Sequence, residues 1–589
     1  MILALLGAPI WLLVRPSRRI VSDALACPVL GLAVLQVFSY YWLRYTNVGM
    51  TVGLPAILAV ALAALLLEVE RAGVTVRLPA PRDWVPTLGL LGAVAVAFLV
   101  EFRTVLKVGH LTSGSIWAAD IALYGNEAGS LVTHGFAWAG NIANVNLGTI
   151  ATNARGIGPG VYATLAAAAA GTNTQVWQAT LPLLLVFVGL VALAVRDAAE
   201  LALAGRRLAP AAVAFLATIA SLFGYVTTNY FLAQILVMPL AIAEWLVLHA
   251  LARAPSGRGR VAGVILLLAI VTTAVLSYSP IAFLMQPVIV AAVCLGEAGR
   301  DWWRRSVRVA GSVAGALVVT FVVVPAPFVR AVDFARQAPD EQRGWPLGLM
   351  TPLDLLGLRQ AVRVPRPVAG VFVVEAVILG GVVLGAVALL WRRDARTATF
   401  LAATAFVVLA SYVLVYIVRG YSYEQWKWIS FFQPLLVAAV YTLVCAAGIE
   451  AFRTVWHAPA AFARNVGIAF GAVLVALSAR TLVLGTRDTP AVWVTGTPTI
   501  HWYVVRPSLS GLARRPAIAQ LRGINVYLGE WDELWAAYFL QPQMQVYLAG
   551  PNDYYARSRP QARHTLVAHV VPGAPPTGYP PGYDLVPAQ

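Results

Sequence analysis

The chain of 589 residues is 60% hydrophobic and only 12% charged, where soluble domains carry about a quarter, and this composition excludes a soluble globular protein. Apolar runs of roughly 18–25 residues recur along it, the length that crosses a bilayer core as a helix, so the fold class expected is an all-α polytopic membrane protein. A formal net charge of +16 does not call for nucleic acid, because most of the surplus is Arg in short links between apolar blocks, where membrane topology accounts for it.

About fourteen spans are expected, over residues 1–15, 24–43, 49–68, 84–101, 177–195, 208–224, 229–251, 261–278, 281–297, 308–326, 367–391, 398–418, 428–450 and 466–485. The first is followed by Arg15, Arg18 and Arg19 and not preceded by them, the reverse of a signal peptide's charge order, so it reads as a retained span. Clusters such as Arg71/Arg77/Arg82, Arg253/Arg258/Arg260 and Arg392/Arg393/Arg396 all fall on one side if these spans alternate, and that side is expected to face the cytoplasm. One further apolar run, GPGVYATLAAAAAG at 158–171, is short and weakly apolar. It is either a re-entrant half-helix buried in the bundle or a crossing that flips every later assignment. Cys27, Cys294 and Cys445 lie inside apolar blocks and read as small buried hydrophobes, with neither a disulfide frame nor metal-ligand spacing.

The expected domains are a polytopic membrane domain over 1–485 and a small extracytoplasmic α+β appendage over 486–571. Period-two alternation around 490–505 and at 544–550 supplies the strands of that appendage. The tail, 572–589, is rich in Pro and Gly and is expected to be flexible. Within the membrane domain a second outer loop, 326–366, reads either as an acceptor gate or as a solvated connector.

The first large outer loop, 101–160, is the long polar interruption in the first half of the chain and carries the candidate active site, with His110, Asp120, Glu127, His134, Asn141, Asn144, Asn146 and Arg155. Asp120 follows a membrane exit and opens a helical pattern that runs to His134. A carboxylate at such a boundary has its pKa raised and can act as general base, though a helix-capping or solvated Asp fits the position equally. Glu127 stands seven residues on, two helical turns, and shares a face with Asp120 if the helix is unbroken. The link RGYSYEQWKW places Arg419, Tyr421, Tyr423 and Lys427 beside Trp426 and Trp428. Cations and phenols there suit a lipid-linked phosphate, and an aromatic belt with a snorkelling Lys accounts for the same residues. No phosphate loop, HExxH, CxxC or GxSxG occurs, and the seven His are scattered.

An Asp followed by a helix ending in HGF (120–136), a Gly-Pro motif opening an Ala-rich run (155–171) and TyrPheLeuAlaGln (230–234) together resemble the GT-C glycosyltransferases, polytopic enzymes that use polyprenyl-phosphate sugars as donors. That resemblance implies a multi-pass plasma-membrane enzyme with an extracytoplasmic site, transferring sugar to an envelope glycan, lipid or protein. It makes Asp120 the catalytic base with Glu127 beside it, and Lys427, Arg419, Arg155, Tyr421 and Tyr423 the holders of the lipid phosphate. His134, Asn141, Tyr230 and Gln234 become substrate-binding residues. No cofactor follows from it beyond a divalent cation used by some members, for which the sequence offers no ligand set. The chain departs from the family in lacking an adjacent acidic pair, since Ala119 precedes Asp120, and in having several spans before the loop, where a single one is usual. A transporter or flippase, a polymerase or ligase of lipid-linked saccharides, and a non-catalytic assembly subunit are the alternative classes.

Overall fold

The computed structural model describes residues 1–14, 23–72, 81–102, 106, 112–113, 119–136, 158–206, 208–228, 231–254, 257–299, 301–337, 350–358, 369–419, 423–454, 503–504, 512–528, 536, 540, 544–548, 562–568 and 583–587. Helices α1 (Ile2–Val14), α2 (Asp23–Tyr45), α3 (Met50–Ala72) and α4 (Pro81–Glu101) come first, and α5 (Ala119–Thr133) lies in the polar segment. Next come α6 (Pro159–Thr172), α7 (Val176–Leu203), α8 (Ala209–Thr218), α9 (Ser221–Thr228), α10 (Leu232–Arg253) and α11 (Arg258–Gly296). The set closes with α12 (Trp302–Val323), α13 (Pro325–Gln337), α14 (Pro352–Leu355), α15 (Ala369–Arg419) and α16 (Tyr423–Thr454). Among the described residues nine helices are long and apolar enough to cross a membrane.

Two of these are hairpins. At Tyr278 (φ −160°, ψ 81°) the backbone of α11 leaves the helical region. A Cβ on Gly263 would lie 2.7 Å from Leu251, and Glu297, just past the other end of α11, meets Arg253 at 2.7 Å. In a straight helix residues 263 and 297 would be ~50 Å apart at 1.5 Å per residue, yet both touch the last turns of α10. The chain therefore reverses at Tyr278, and Pro280 opens the return, where its missing N–H costs nothing. The same logic applies to α15, whose backbone leaves the helix at Asp394. Glu375 and Tyr412 both bind the short segment around α14, through the N–H groups of Leu353 and Met350, while Arg393 reaches Glu450 near the end of α16. Asp394 caps the returning half by accepting the Thr397 N–H at 3.0 Å. The expected spans 261–278, 281–297, 367–391 and 398–418 are these four arms. With the hairpins the nine helices make eleven passes, and the broken pair α8–α9 adds another; the expected span 466–485 lies outside the described residues.

The 158–171 run is the half-helix. α6 starts beside Gln36, nine residues below the end of α2, and a Cβ on its Gly171 would meet Leu54, near the start of α3. It rises from within the bundle, closes on Asn173 in the left-handed conformation (φ 51°) and turns into α7. At ~21 Å it is too short to cross, so the later spans keep their alternation.

Two chemically distinct ends result. One gathers Arg196, Arg206, Arg253, Arg305, Arg308 and Arg393, with Trp84, Trp302, Trp303 and Trp391 exposed at the level of an aromatic belt. The opposite, Arg-poor end carries the α2–α3 turn, α5 and the start of α16. The segment 350–358, expected as part of a gate or connector, is instead inserted into the bundle. There Thr351 and Leu355 are fully buried, and the carbonyls of Leu355 and Leu356 accept from Gln433 and Tyr441 of α16.

Beyond the bundle, β3 (Gly523–Tyr527), β4 (Gln545–Leu548), β5 (His564–Ala568) and β6 (Tyr583–Pro587) form a sheet in the order β4-β3-β5-β6. β4 and β5 run parallel to β3, and β6 pairs antiparallel with β5. The tail expected to be flexible thus supplies an edge strand: its YDLVP alternates, and Pro587 ends a strand whose outer side needs no N–H donor. A separate ladder pairs β1 (Thr112–Ser113) with β2 (Tyr503–Val504), tying the region before the sheet to the loop that leaves α4.

Candidate functional site

α5 runs unbroken from Ala119 to Thr133; Tyr124, Glu127, Ala128 and Leu131 are buried at i, i+3, i+4 and i+7, and Gly125 and Asn126 are buried too, so its middle is enclosed on more than one side. Its far end is clamped to the α2–α3 turn: Gly49 N–H donates to Thr133 O at 3.2 Å and Phe136 N–H to Leu43 O at 2.7 Å. Gly49 is required there, since a Cβ would stand 2.4 Å from the carbonyl carbon of Thr133. His134 sits in this clamp, bridged to Val48 and with Nδ1 2.8 Å from the Thr133 hydroxyl.

Glu127 is 6% exposed, and its Oε2 has no hydrogen-bond partner among the described residues. Burial pushes its carboxyl well above the ordinary range. One turn earlier the Tyr124 hydroxyl accepts the Ala233 N–H at 3.4 Å, and its ring meets Tyr162 of α6 at 5.4 Å. Next to Ala233, Gln234 is buried and donates to the Ser430 hydroxyl, which in turn donates to Lys427 O at 2.6 Å. Lys427 Nζ lies 4.9 Å from the centre of the Tyr278 ring, at the α11 reversal, and Tyr278 stacks on Phe431. From Tyr278 the circuit returns to α6, because Ser277 exchanges hydrogen bonds with Gln36, and Gln36 donates to Thr164 at 3.3 Å. A Cβ on Gly160 would come within 2.4 Å of Gln36 Oε1, so a larger residue there would push this amide aside.

The result is a closed ring of contacts at the Arg-poor end: α5 to α6, α6 through α2 to the α11 reversal, then α16, α10 and back to α5. It brings Glu127, Gln234 and Lys427 round one perimeter and sets His134 at the clamp. Asp120 occupies the first turn of α5, on the Glu127 side and ~10 Å along the axis, and its side chain lies outside what is described. The side chains of Arg419 and Tyr423, at the facing ends of α15 and α16, are likewise not described. Arg155, Asn141, Tyr230 and Tyr421 lie outside the described residues. Among the described residues no three or more His, Cys, Asp or Glu gather as metal ligands.

Several ring members escaped the sequence reading. Gln36 and Thr164 are lone polar residues in apolar runs, a signal that intramembrane polar groups have a task. Glu101, the last residue of α4, is buried and accepts from Thr227 at 2.6 Å, so the polar loop begins with an anchored acid.

No family model matches the chain, and no curated protein does. Among solved structures, the chain is similar to crystal structures of ArnT from Cupriavidus metallidurans. In its apo state ArnT is similar at 14% identity over 83% of this chain and 94% of that one, with a TM-score of 0.46. The structure described as bound to undecaprenyl phosphate gives 14% identity, the same coverage and a TM-score of 0.45. At this level the likeness lies in the course of the chain alone.

Proposed function

We propose that the chain is an integral membrane glycosyltransferase that moves a sugar from a polyprenyl-phosphate donor to an envelope glycan, lipid or protein acceptor at the Arg-poor, extracytoplasmic end. The observation that carries this reading is the ring itself, which gathers a buried carboxyl, an ammonium and several aromatic rings where a membrane-borne carrier presents its head group. In the transfer, the acceptor hydroxyl attacks the anomeric carbon as its proton passes to Asp120. The bond from that carbon to the phosphate oxygen breaks, and the lipid phosphate leaves with the electron pair. Lys427, with Arg419 and Arg155, balances the charge that develops on the leaving oxygen. Glu127, whose protonated form burial favours, donates a hydrogen bond to the sugar. The phenols Tyr421 and Tyr423 complete the phosphate site, while His134, Asn141, Tyr230 and Gln234 position the sugar and acceptor.

The test is transfer from a radiolabelled polyprenyl-phosphate sugar in membranes that carry the protein at matched abundance. Asp120→Asn is expected to lower turnover by about 10²–10⁴-fold, the usual weight of a general base. Lys427→Ala is expected to cut kcat while Lys427→Arg restores part of it. Full activity in Asp120→Asn would turn the assignment toward a transporter or an assembly subunit.

A further inference from the structure

At the Arg-rich end, away from the ring, a cavity of about 210 Å³ opens between the last turn of α7, the α15 reversal and the end of α16. Leu203, Leu390, Ala398 and Ile449 make its floor apolar, and Arg206, Arg393 and Asp394 stand round its mouth. Two of these charges are already engaged: Arg393 meets Glu450 at 2.7 Å, and Asp394 caps Thr397. Arg206 makes no ion pair among the described residues, and Arg392 and Arg396 are exposed on the same reversal. Arg206, Arg392, Arg393 and Arg396 against Asp394 and Glu450 leave the region around the mouth with a positive surplus. Trp391, on the arm leading into the reversal, is 58% exposed and sets this mouth at the level of the membrane interface.

Charge bias alone explains Arg at this end of the bundle, but it does not explain a cavity beneath the Arg. We propose that the recess binds the phosphate of a phospholipid from the cytoplasmic leaflet, with Arg206 as its main partner and an acyl chain along the Leu203–Leu390–Ile449 floor. A guanidinium offers paired N–H donors that match two phosphate oxygens. Leu203, Leu390 and Ile449 give the deeper part of the recess an apolar wall that a hydrocarbon chain can follow and a free phosphate ion cannot use. The site lies at the opposite end from the proposed transfer chemistry and stands independently of what is transferred there.

Native mass spectrometry of the delipidated full chain in detergent tests this, with dioctanoyl phosphatidylglycerol, dioctanoyl phosphatidylcholine and inorganic phosphate as probes. Saturable phosphatidylglycerol binding is expected, at least tenfold weaker in Arg206→Gln. It should be equally weakened in Ala202→Phe, which fills the recess from its wall and leaves the charge in place. Phosphatidylcholine, whose own cation opposes the Arg, is expected to bind at least tenfold less. Inorganic phosphate at equal concentration is expected to bind not at all. Unchanged affinity in either folded variant, equal binding of phosphatidylcholine, absence of phosphatidylglycerol binding, or equal binding of free phosphate overturns the proposal. Should Arg206→Gln fail to fold, Ala202→Phe decides.

Discussion

Glu127 carries a buried carboxyl whose Oε2 finds no partner among the described residues, so the neutral form is favoured in the folded state. A carboxyl whose folded pKa lies above its ordinary 4.5 contributes stability that is fully present at low pH. That contribution is lost as pH rises from the ordinary value through the raised one, because the unfolded chain ionises first. Glu127→Gln keeps the shape and removes the titration. The variant is therefore expected to match the wild type below about pH 4.5 and to unfold at a higher temperature than it above that pH, read by thermal unfolding in detergent. A wild type and variant that keep parallel pH profiles would mean that Glu127 is solvated. On the transfer assay the same substitution should cost little, since an amide also donates a hydrogen bond.

Individual elements are held by a few buried polar ties. α6 is seated by Gln36, whose amide packs directly over Gly160. Gly160→Ala is expected to displace that amide from Ser277 and Thr164 and to cost about 1–3 kcal/mol, seen as a lower unfolding temperature. At the opposite end, the Glu297 carboxylate is 1% exposed, accepts from Arg253 and Arg305 at 2.7 and 2.9 Å, and has His249 Nδ1 2.8 Å away. It pins the α10, α11 and α12 ends together. Burial works to raise its pKa, but the His249 and Arg253 contacts outweigh that and hold it lowered. Its contribution is accordingly complete above the ordinary carboxylate range and is lost as pH falls through the lowered value. Glu297→Gln should destabilise by about 3 kcal/mol. That is the low end for a buried pair, because Arg253 and Arg305 are 35% and 25% exposed and partly solvated once released. The loss should narrow toward acid pH.

At the scale of the whole molecule, the hairpins at Tyr278 and Asp394 decide which ends face each other. Thr46 in the α2–α3 turn and Asp394 in the α15 reversal are both exposed and lie at opposite ends. Cysteines placed there should react with a membrane-impermeant maleimide from opposite faces of sealed cells and inverted vesicles, Thr46→Cys from outside. Labelling of both from one face would dismantle the topology.

Much of this architecture was legible in the residues. Runs such as 232–253 are apolar enough to be spans wherever they pack, and Arg in the links orients them, because the cost of moving charge across a bilayer is paid locally and needs no partner. Asp120 to His134 likewise announced a helix with two acids on one side. What composition could not announce is contact between distant segments. Where GPGVYATLAAAAAG seats depends on Gln36, more than a hundred residues earlier. The segment at 350–358 is drawn into the bundle by Gln433, Tyr441 and Tyr412, and YDLVP becomes a strand only because β5 offers it an edge. The chain by itself determined a membrane protein with one Arg-rich and one Arg-poor face, since hydrophobicity and charge act on each segment alone. Only the tertiary structure decided that Glu127, Gln234 and Lys427 share a ring, because that depends on close-packed surfaces from six helices meeting in one place.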